Sequence, residues 1–202
     1  MTGVENPDKS LVQRIQAGEE SARNELVDLF LPDVYRICLG MVGHVHDAED
    51  ASQDAFVRVF RFLHHWDGRP LRPWILTIAA NVCRNYRTKS KVFAELPTQL
   101  DERPEGMDGT HALEGAIEQG LLSLREEYRL VLVLHHQLNQ PVERVGQILQ
   151  KPLGTVKTWL SRGRKALWVW LVAGGHVTPV SPPHDHDQGH GKPFGFHPTR
   201  GA

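Results

Sequence analysis

Apolar positions fall at helical spacing along most of this chain, and the clearest run is PVERVGQILQKPLGTVKTWLSRGRKALWVWL, from Pro141 to Leu171. Leu149, Leu153, Val156, Leu160, Gly163 and Leu167 recur at intervals of four, three, four, three and four, one stripe on a 3.6-residue helix. Pro152 is expected to open that helix, where its missing N–H has no intrahelical acceptor to lose. Val142, Val145, Ile148 and Leu149 define a shorter helix just before it. Gln150 and Lys151 leave room only for a sharp turn, so the unit reads as a helix-turn-helix. Gly146 and Gly154 are expected to mark close contacts of the two helices, since each costs a helix about 1 kcal/mol relative to Ala.

Upstream the same period predicts further helices. Leu11 to Ala17 is short. Glu19 to Val42 is longer, with Leu26, Phe30, Val34, Ile37 and Met41 inward, and Pro32 is expected to kink or split it. Asp47 to His65 follows, with Ala51, Ala55, Val59 and Phe62 inward. A helix opening at Pro73 runs through Trp74, Ile78, Val82 and Tyr86 to about Lys91. Leu113 to Leu122 and Glu126 to Leu138 are two more, the latter with Tyr128, Val131, Leu134 or His135, and Leu138 inward. The prediction is an all-α chain of two small helical domains. Residues 1–92 form the first and 112–173 the second. They are joined by a flexible acidic linker, 93–111, and followed by a disordered tail rich in His, Pro and Gly, 174–202.

Charge changes the picture more than composition does. The 202 residues carry a net charge of only −1, yet the charges are segregated. Between Arg58 and Lys91 stand eight Lys or Arg and one acid; between Val92 and Leu113 stand five acids and one Arg. From Lys151 to Leu171 there is no acid, and Thr155, Lys157, Thr158, Ser161, Arg162 and Lys165 lie off the apolar stripe. Such a face suits a phosphate-lined groove, with short or forked donors able to reach base edges. Trp66, Arg72, Asn81, Arg84, Asn85 and Arg87 interleave a ring, amides and cations, the combination that holds unstacked bases and single-strand backbone. Asp47, Glu49, Asp50 and Asp54 crowd one helix start beyond what the helix dipole requires; they read either as a docking face for a basic partner surface or as a solvated helix start.

No apolar run is long enough to span a bilayer and no signal peptide opens the chain, so a cytoplasmic protein without membrane insertion is expected. Cys38 and Cys83 sit in apolar helical patterns, and a structural disulfide is not expected. No phosphate loop, nucleophile elbow or carboxylate pair is evident, so neither enzyme activity nor a cofactor is expected. In the tail, His184, His186 and His190 with Asp185 and Asp187 could hold Zn or Ni, with His176 and His197 as additional ligands, although solvated histidines are the simpler reading.

Three segments in this order resemble the bacterial sigma factors of RNA polymerase, in the small two-domain extracytoplasmic-function (ECF) group. DAEDASQDAFVRVF resembles the region 2 helix that docks on the polymerase clamp. LRPWILTIAANVCRNYRTKSK is similar to the promoter-melting helix, and VERVGQILQKPLGTVKTWLSRGRKAL to region 4. The resemblance implies a subunit that binds core RNA polymerase, directs it to promoter DNA and helps open the −10 element. It gives Asp47, Glu49, Asp50 and Asp54 to the clamp. Asn81 and the loop from Trp66 to Arg72 go to flipped −10 bases, and Lys157, Thr158, Ser161, Arg162 and Lys165 to the −35 element. It also implies an anti-sigma protein as partner, and an acidic linker lying in the RNA exit path. The chain departs from the family pattern near Gln150, where a Gly is usual. The competing reading is a helix-turn-helix regulator of duplex operators, which would need a dimer interface or effector domain.

Overall fold

A computed structural model describes the backbone of residues 7–93 and 109–178 and the side chains of 7–86 and 112–178. Among these residues there are eight α-helices and no strand: α1 (Pro7–Gln16), α2 (Glu20–Val42), α3 (Val45–Phe62), α4 (Leu71–Phe93), α5 (Gly109–Ser123), α6 (Glu126–Leu132), α7 (Val142–Leu149) and α8 (Leu153–Ala173). The chain is all-α, as the periodicity predicts.

α2, α3 and α4 pack on one another, with α1 against α2. Their inward stripe is the expected one: Leu26, Val34, Ile37, Met41, Ala51, Ala55 and Val59 have no exposed surface. Three local expectations are corrected. Pro32 does not split α2, which runs unbroken to Val42. Pro32 and Asp28 are both exposed, so the carbonyl left without its N–H partner faces water. Phe62 is 45% exposed and Leu63 takes the core position instead, because the chain tightens into a 3₁₀ turn at Leu63–His65 and shifts the inward angle by one residue. Finally α4 opens at Leu71, whose N–H donates to Asp8 Oδ2 at 2.8 Å, leaving Pro73 within a first turn that needs no amide donor.

In the second half, the predicted helix from Glu126 to Leu138 divides into α6 and a π turn at Val133–Gln137. Leu134 is the buried member of the Leu134/His135 pair, and His135 Nδ1 lies 2.8 Å from the Gln140 carbonyl. α7 and α8 form the helix-turn-helix, with Pro152 as N-cap rather than first helical residue. The turn is closed by Gln150 at φ 53°, with Lys151 N–H donating to the Gly146 carbonyl at 2.9 Å. A Cβ on Gly146 would lie 3.1 Å from the Lys151 carbonyl oxygen, so this glycine makes room for the turn; the second helix comes no nearer than Val156 Cγ2 at 3.9 Å. Gly154 makes no close contact; nothing lies within 4 Å of its would-be Cβ. On α8 the glycine that allows close helix packing is Gly163, whose Cβ would meet Tyr128 Cβ at 3.2 Å and Leu132 Cδ1 at 3.3 Å on α6. Leu153, expected inward, is 40% exposed at the open first turn of α8.

The two helical groups share a continuous apolar core running from Leu11 to Leu160. α4 packs on α7, and α2 on α5, α6 and the π turn. After α8, Gly175 at φ 70° turns the chain back. His176 then stacks on Trp170 with centroids 5.5 Å apart, and Val177 is buried against Ala116 and Leu171.

Candidate nucleic-acid and polymerase interfaces

The acidic cluster lies on the outward side of α3. Glu49, Asp50 and Asp54 are exposed, and Asp47 is half-buried. Beside it runs an apolar groove of about 720 Å³ lined by Val27, Leu31 and Tyr35 of α2 and by Phe56, Val57 and Phe60 of α3, with Glu49 at its rim. Leu31 and Val57 are 41% and 56% exposed, large apolar surfaces facing solvent. An apolar floor with a carboxylate rim is complementary to a basic amphipathic helix. The acids also reach α4: the Tyr86 phenol is raised above its usual value, by burial first and then by the field of Asp54, Asp50 and Asp47. The acids were legible in the sequence. The groove was not, because Leu31 and Val57 lie off the stripes that the period assigns to the core.

The single-strand candidates lie around the start and middle of α4. Asn81 and Asn85 are exposed, and Asn81 Oδ1 accepts from Arg84 Nη1 at 3.3 Å. Arg72 is held by Asp33 of α2, Nε to Oδ2 at 2.6 Å, a partner that no local spacing predicts. Trp66 packs against the core, and its indole N–H is enclosed without an acceptor among the described residues. The loop beyond it is fixed by Arg69, which donates to both oxygens of Asp67 at 2.8 and 2.7 Å. These bonds hold that carboxyl down to about 2. Gly68 at φ 85° makes the turn possible. The side chain of Arg87 lies outside the described residues.

On α8, Lys157, Thr158, Arg162 and Lys165 are exposed, Thr155 and Ser161 half-buried, and all six lie on the side opposite buried Val156, Leu160 and Gly163. Thr158 Oγ1 donates back to the Gly154 carbonyl at 2.8 Å, which orients the hydroxyl along the first turn. No group of three or more His, Cys, Asp or Glu placed to hold a metal occurs among the described residues. His184, His186 and His190 lie outside the described residues, as do residues 94–108 of the acidic linker.

The side chain that sequence reasoning missed is Arg129. It is 1% exposed and donates to the carbonyls of Leu121 (2.7 Å), Leu124 (3.2 Å), Leu122 and, across to α2, Met41 (2.7 Å). Its position at the head of an otherwise unbroken apolar run, Leu130 to Leu134, was the available signal, since a cation there must be satisfied internally.

An acid-rimmed docking groove, a cationic amide-bearing helix and a helix-turn-helix in one small all-α chain define a promoter-recognition protein that works with a partner. The comparisons agree: residues 26–92 match the model of Sigma-70 region 2, and residues 114–167 that of Sigma-70 region 4. The chain is 30% identical over 175 residues to the ECF RNA polymerase sigma factor SigW of Bacillus subtilis (strain 168), covering 79% of this chain and 94% of that one. It is 31% identical over 167 residues to the ECF RNA polymerase sigma factor SigE of Mycolicibacterium smegmatis, covering 78% and 65%. The chain belongs to the ECF sigma factors. Its fold is also that of two solved complexes. One is CnrH with the cytosolic domain of CnrY, at TM-score 0.65 and 23% identity, covering 83% of this chain and 99% of that one. The other is RpoE of Bartonella quintana with the anti-sigma factor NepR, at TM-score 0.58 and 20% identity, covering 74% and 96%.

Proposed function

We propose that this chain is the promoter-specificity subunit of an RNA polymerase, with its labour divided among three surfaces. The acids and apolar groove of α2 and α3 dock on a basic, helical part of core polymerase. Asn81, Asn85 and Arg84 on α4 receive bases of the −10 element as it opens. Thr155, Lys157, Thr158, Ser161, Arg162 and Lys165 on α8 read the −35 duplex. The bond-making chemistry belongs to the polymerase, and this chain contributes binding alone.

One observation carries the reading: the docking groove and the two nucleic-acid faces occur in one chain, each inside a segment matched by sigma region 2 or region 4. A regulator that acts on duplex DNA alone has no use for an acid-rimmed groove or for exposed amides on a second helix. The domain assignment follows, residues 1–92 serving core and −10 DNA, and 112–173 the −35 element. The place of work is the cytoplasm, where polymerase is; no helix among the described residues is long and apolar enough to cross a membrane. An anti-sigma protein is a further partner, as with the structural neighbour bound to NepR. Run-off transcription by purified core polymerase with and without this protein tests the reading, and no promoter-dependent transcript above core alone would refute it.

A further inference from the structure

The groove between α2 and α3 presents Leu31, Tyr35, Phe56, Val57 and Phe60, and two of these, Leu31 and Val57, are 41% and 56% exposed. Its charge is graded along its length. Glu49 stands at one end, with exposed Asp50 and Asp54 on the outward side of α3; at the other end the Arg23 guanidinium lies over the Phe60 ring, 6.0 Å from its centroid. A ligand that fits must bring rings to the floor and a cation to the Glu49 end alone.

The chain itself carries such a segment. Residues 179–202 lie outside the described residues, but their sequence has no acid after Asp187, and Phe194 and Phe196 are its only large apolar residues beyond Val180. They stand in KPFGFHP, where Lys192 and His197 each precede a proline, which biases both toward extended backbone. In an extended chain residues two apart point to the same side at about 7 Å spacing, so the two rings make one apolar edge. The lengths match as well. From Glu49 to Phe60 is about 16 Å along α3, and from Lys192 to Phe196 about 13 Å extended, which leaves Arg200 beyond the groove and clear of Arg23.

The segment can reach. Val177 is buried against Ala116 of α5, the Leu122 side chain at the other end of α5 lies against Gly43, and Gly43 leads back along α2 to Leu31. The two helical stretches are about 9 and 18 Å, and with the side-chain contacts between them the path is about 40 Å. The seventeen residues from Val177 to Phe194 span up to about 55 Å. A tether of this kind holds its end at a roughly millimolar effective concentration, so a contact too weak to form between molecules forms within one.

We infer that residues 192–196 are a tethered ligand of the α2/α3 groove. Lys192, the first cation to arrive from the α5 side, meets Glu49, and Phe194 and Phe196 insert between the helices toward Val57 and Phe60. The groove is then closed to core polymerase until the segment leaves, and apparent affinity is reduced by the fraction of chains in which the groove is free. The contact stands apart from the sigma reading; its competition with core polymerase rests on that reading.

The test uses the full chain with p-benzoylphenylalanine in place of Phe196. Illumination of the dilute protein should link position 196 to the peptides of α2 and α3 that line the groove, within one molecule. Val57→Glu sets a charge at an exposed groove position without disturbing the core, and should cut the yield several-fold. Lys192→Glu should do the same from the other side. The Phe194→Ser, Phe196→Ser double variant should bind core polymerase several-fold more tightly than wild type, and core polymerase should suppress the link in the photoreactive chain. Links to other helices, links between two copies, or equal polymerase affinity of wild type and the double variant would overturn the inference. If the chain were not a sigma factor, core polymerase would neither bind the double variant nor suppress the link, while the link to α2 and α3 and its loss in Val57→Glu would still report the contact.

Discussion

Arg129 Nη1 and the Met41 carbonyl oxygen are 2.7 Å apart, a charge-assisted hydrogen bond between two buried residues that ties α6 to the end of α2. The same guanidinium serves three carbonyls at the end of α5 and beyond. Arg129→Met keeps the volume and removes every donor, so several buried carbonyls lose a partner. The expected loss is about 3 kcal/mol, read as a lower urea midpoint at unchanged slope. Arg129→Lys should recover less than half of it, because an ammonium has only three donors and no planar fork. A midpoint unaffected by Arg129→Met would mean that the carbonyls find water.

Gln150 adopts a left-handed conformation at φ 53°, ψ 46° to end α7, and a side chain is disfavoured there by roughly 1–2 kcal/mol. Part of that is returned by glycine's greater freedom in the unfolded chain. Gln150→Gly should therefore stabilise the protein by about 1 kcal/mol, raising Tm by roughly 2–4 °C. A lower Tm would show that the Gln150 side chain contributes a contact worth more than the strain.

Asn81 and Arg162 separate promoter opening from duplex recognition. Asn81 is an exposed amide on α4 and adds little to attraction for a duplex, whereas Arg162 is an exposed fork on α8. Asn81→Ala should leave closed-complex affinity near wild type and reduce permanganate reactivity of −10 thymines. Arg162→Ala should weaken closed binding by about 1–3 kcal/mol and relax preference at one −35 position. Equal permanganate footprints for wild type and Asn81→Ala would remove Asn81 from the site.

Cys38 and Cys83 face each other from α2 and α4 with sulfurs 3.5 Å apart, both without exposed surface. The Cys83 thiol donates to Cys38, which with burial raises its pKa and keeps it protonated. The same bond lowers the Cys38 pKa, but neither sulfur has exposed surface, so both should be slow toward a disulfide reagent in the native protein and fast in denaturant. Two thiols titrating within seconds under native conditions would contradict this packing.

The sequence by itself determined the helices, the inward stripes of α2 and α3, the helix-turn-helix and the segregation of basic from acidic surface. These are properties of residues three or four apart, and spacing reports them directly. Where a choice depended on one residue's angular position the reading failed, as at Phe62, Leu153 and Gly154, because element ends rotate the pattern by a fraction of a turn. Tertiary structure alone decided what crosses between elements distant in the chain. It set Asp33 on Arg72, 39 residues away, and Arg129 on Met41, 88 residues away. It also placed Leu31 and Val57 as neighbours lining one groove, and Gly40 against Val133. No local period encodes such pairs, since they follow from how helices stack once their stripes are buried, and the docking of the two helical groups belongs among them.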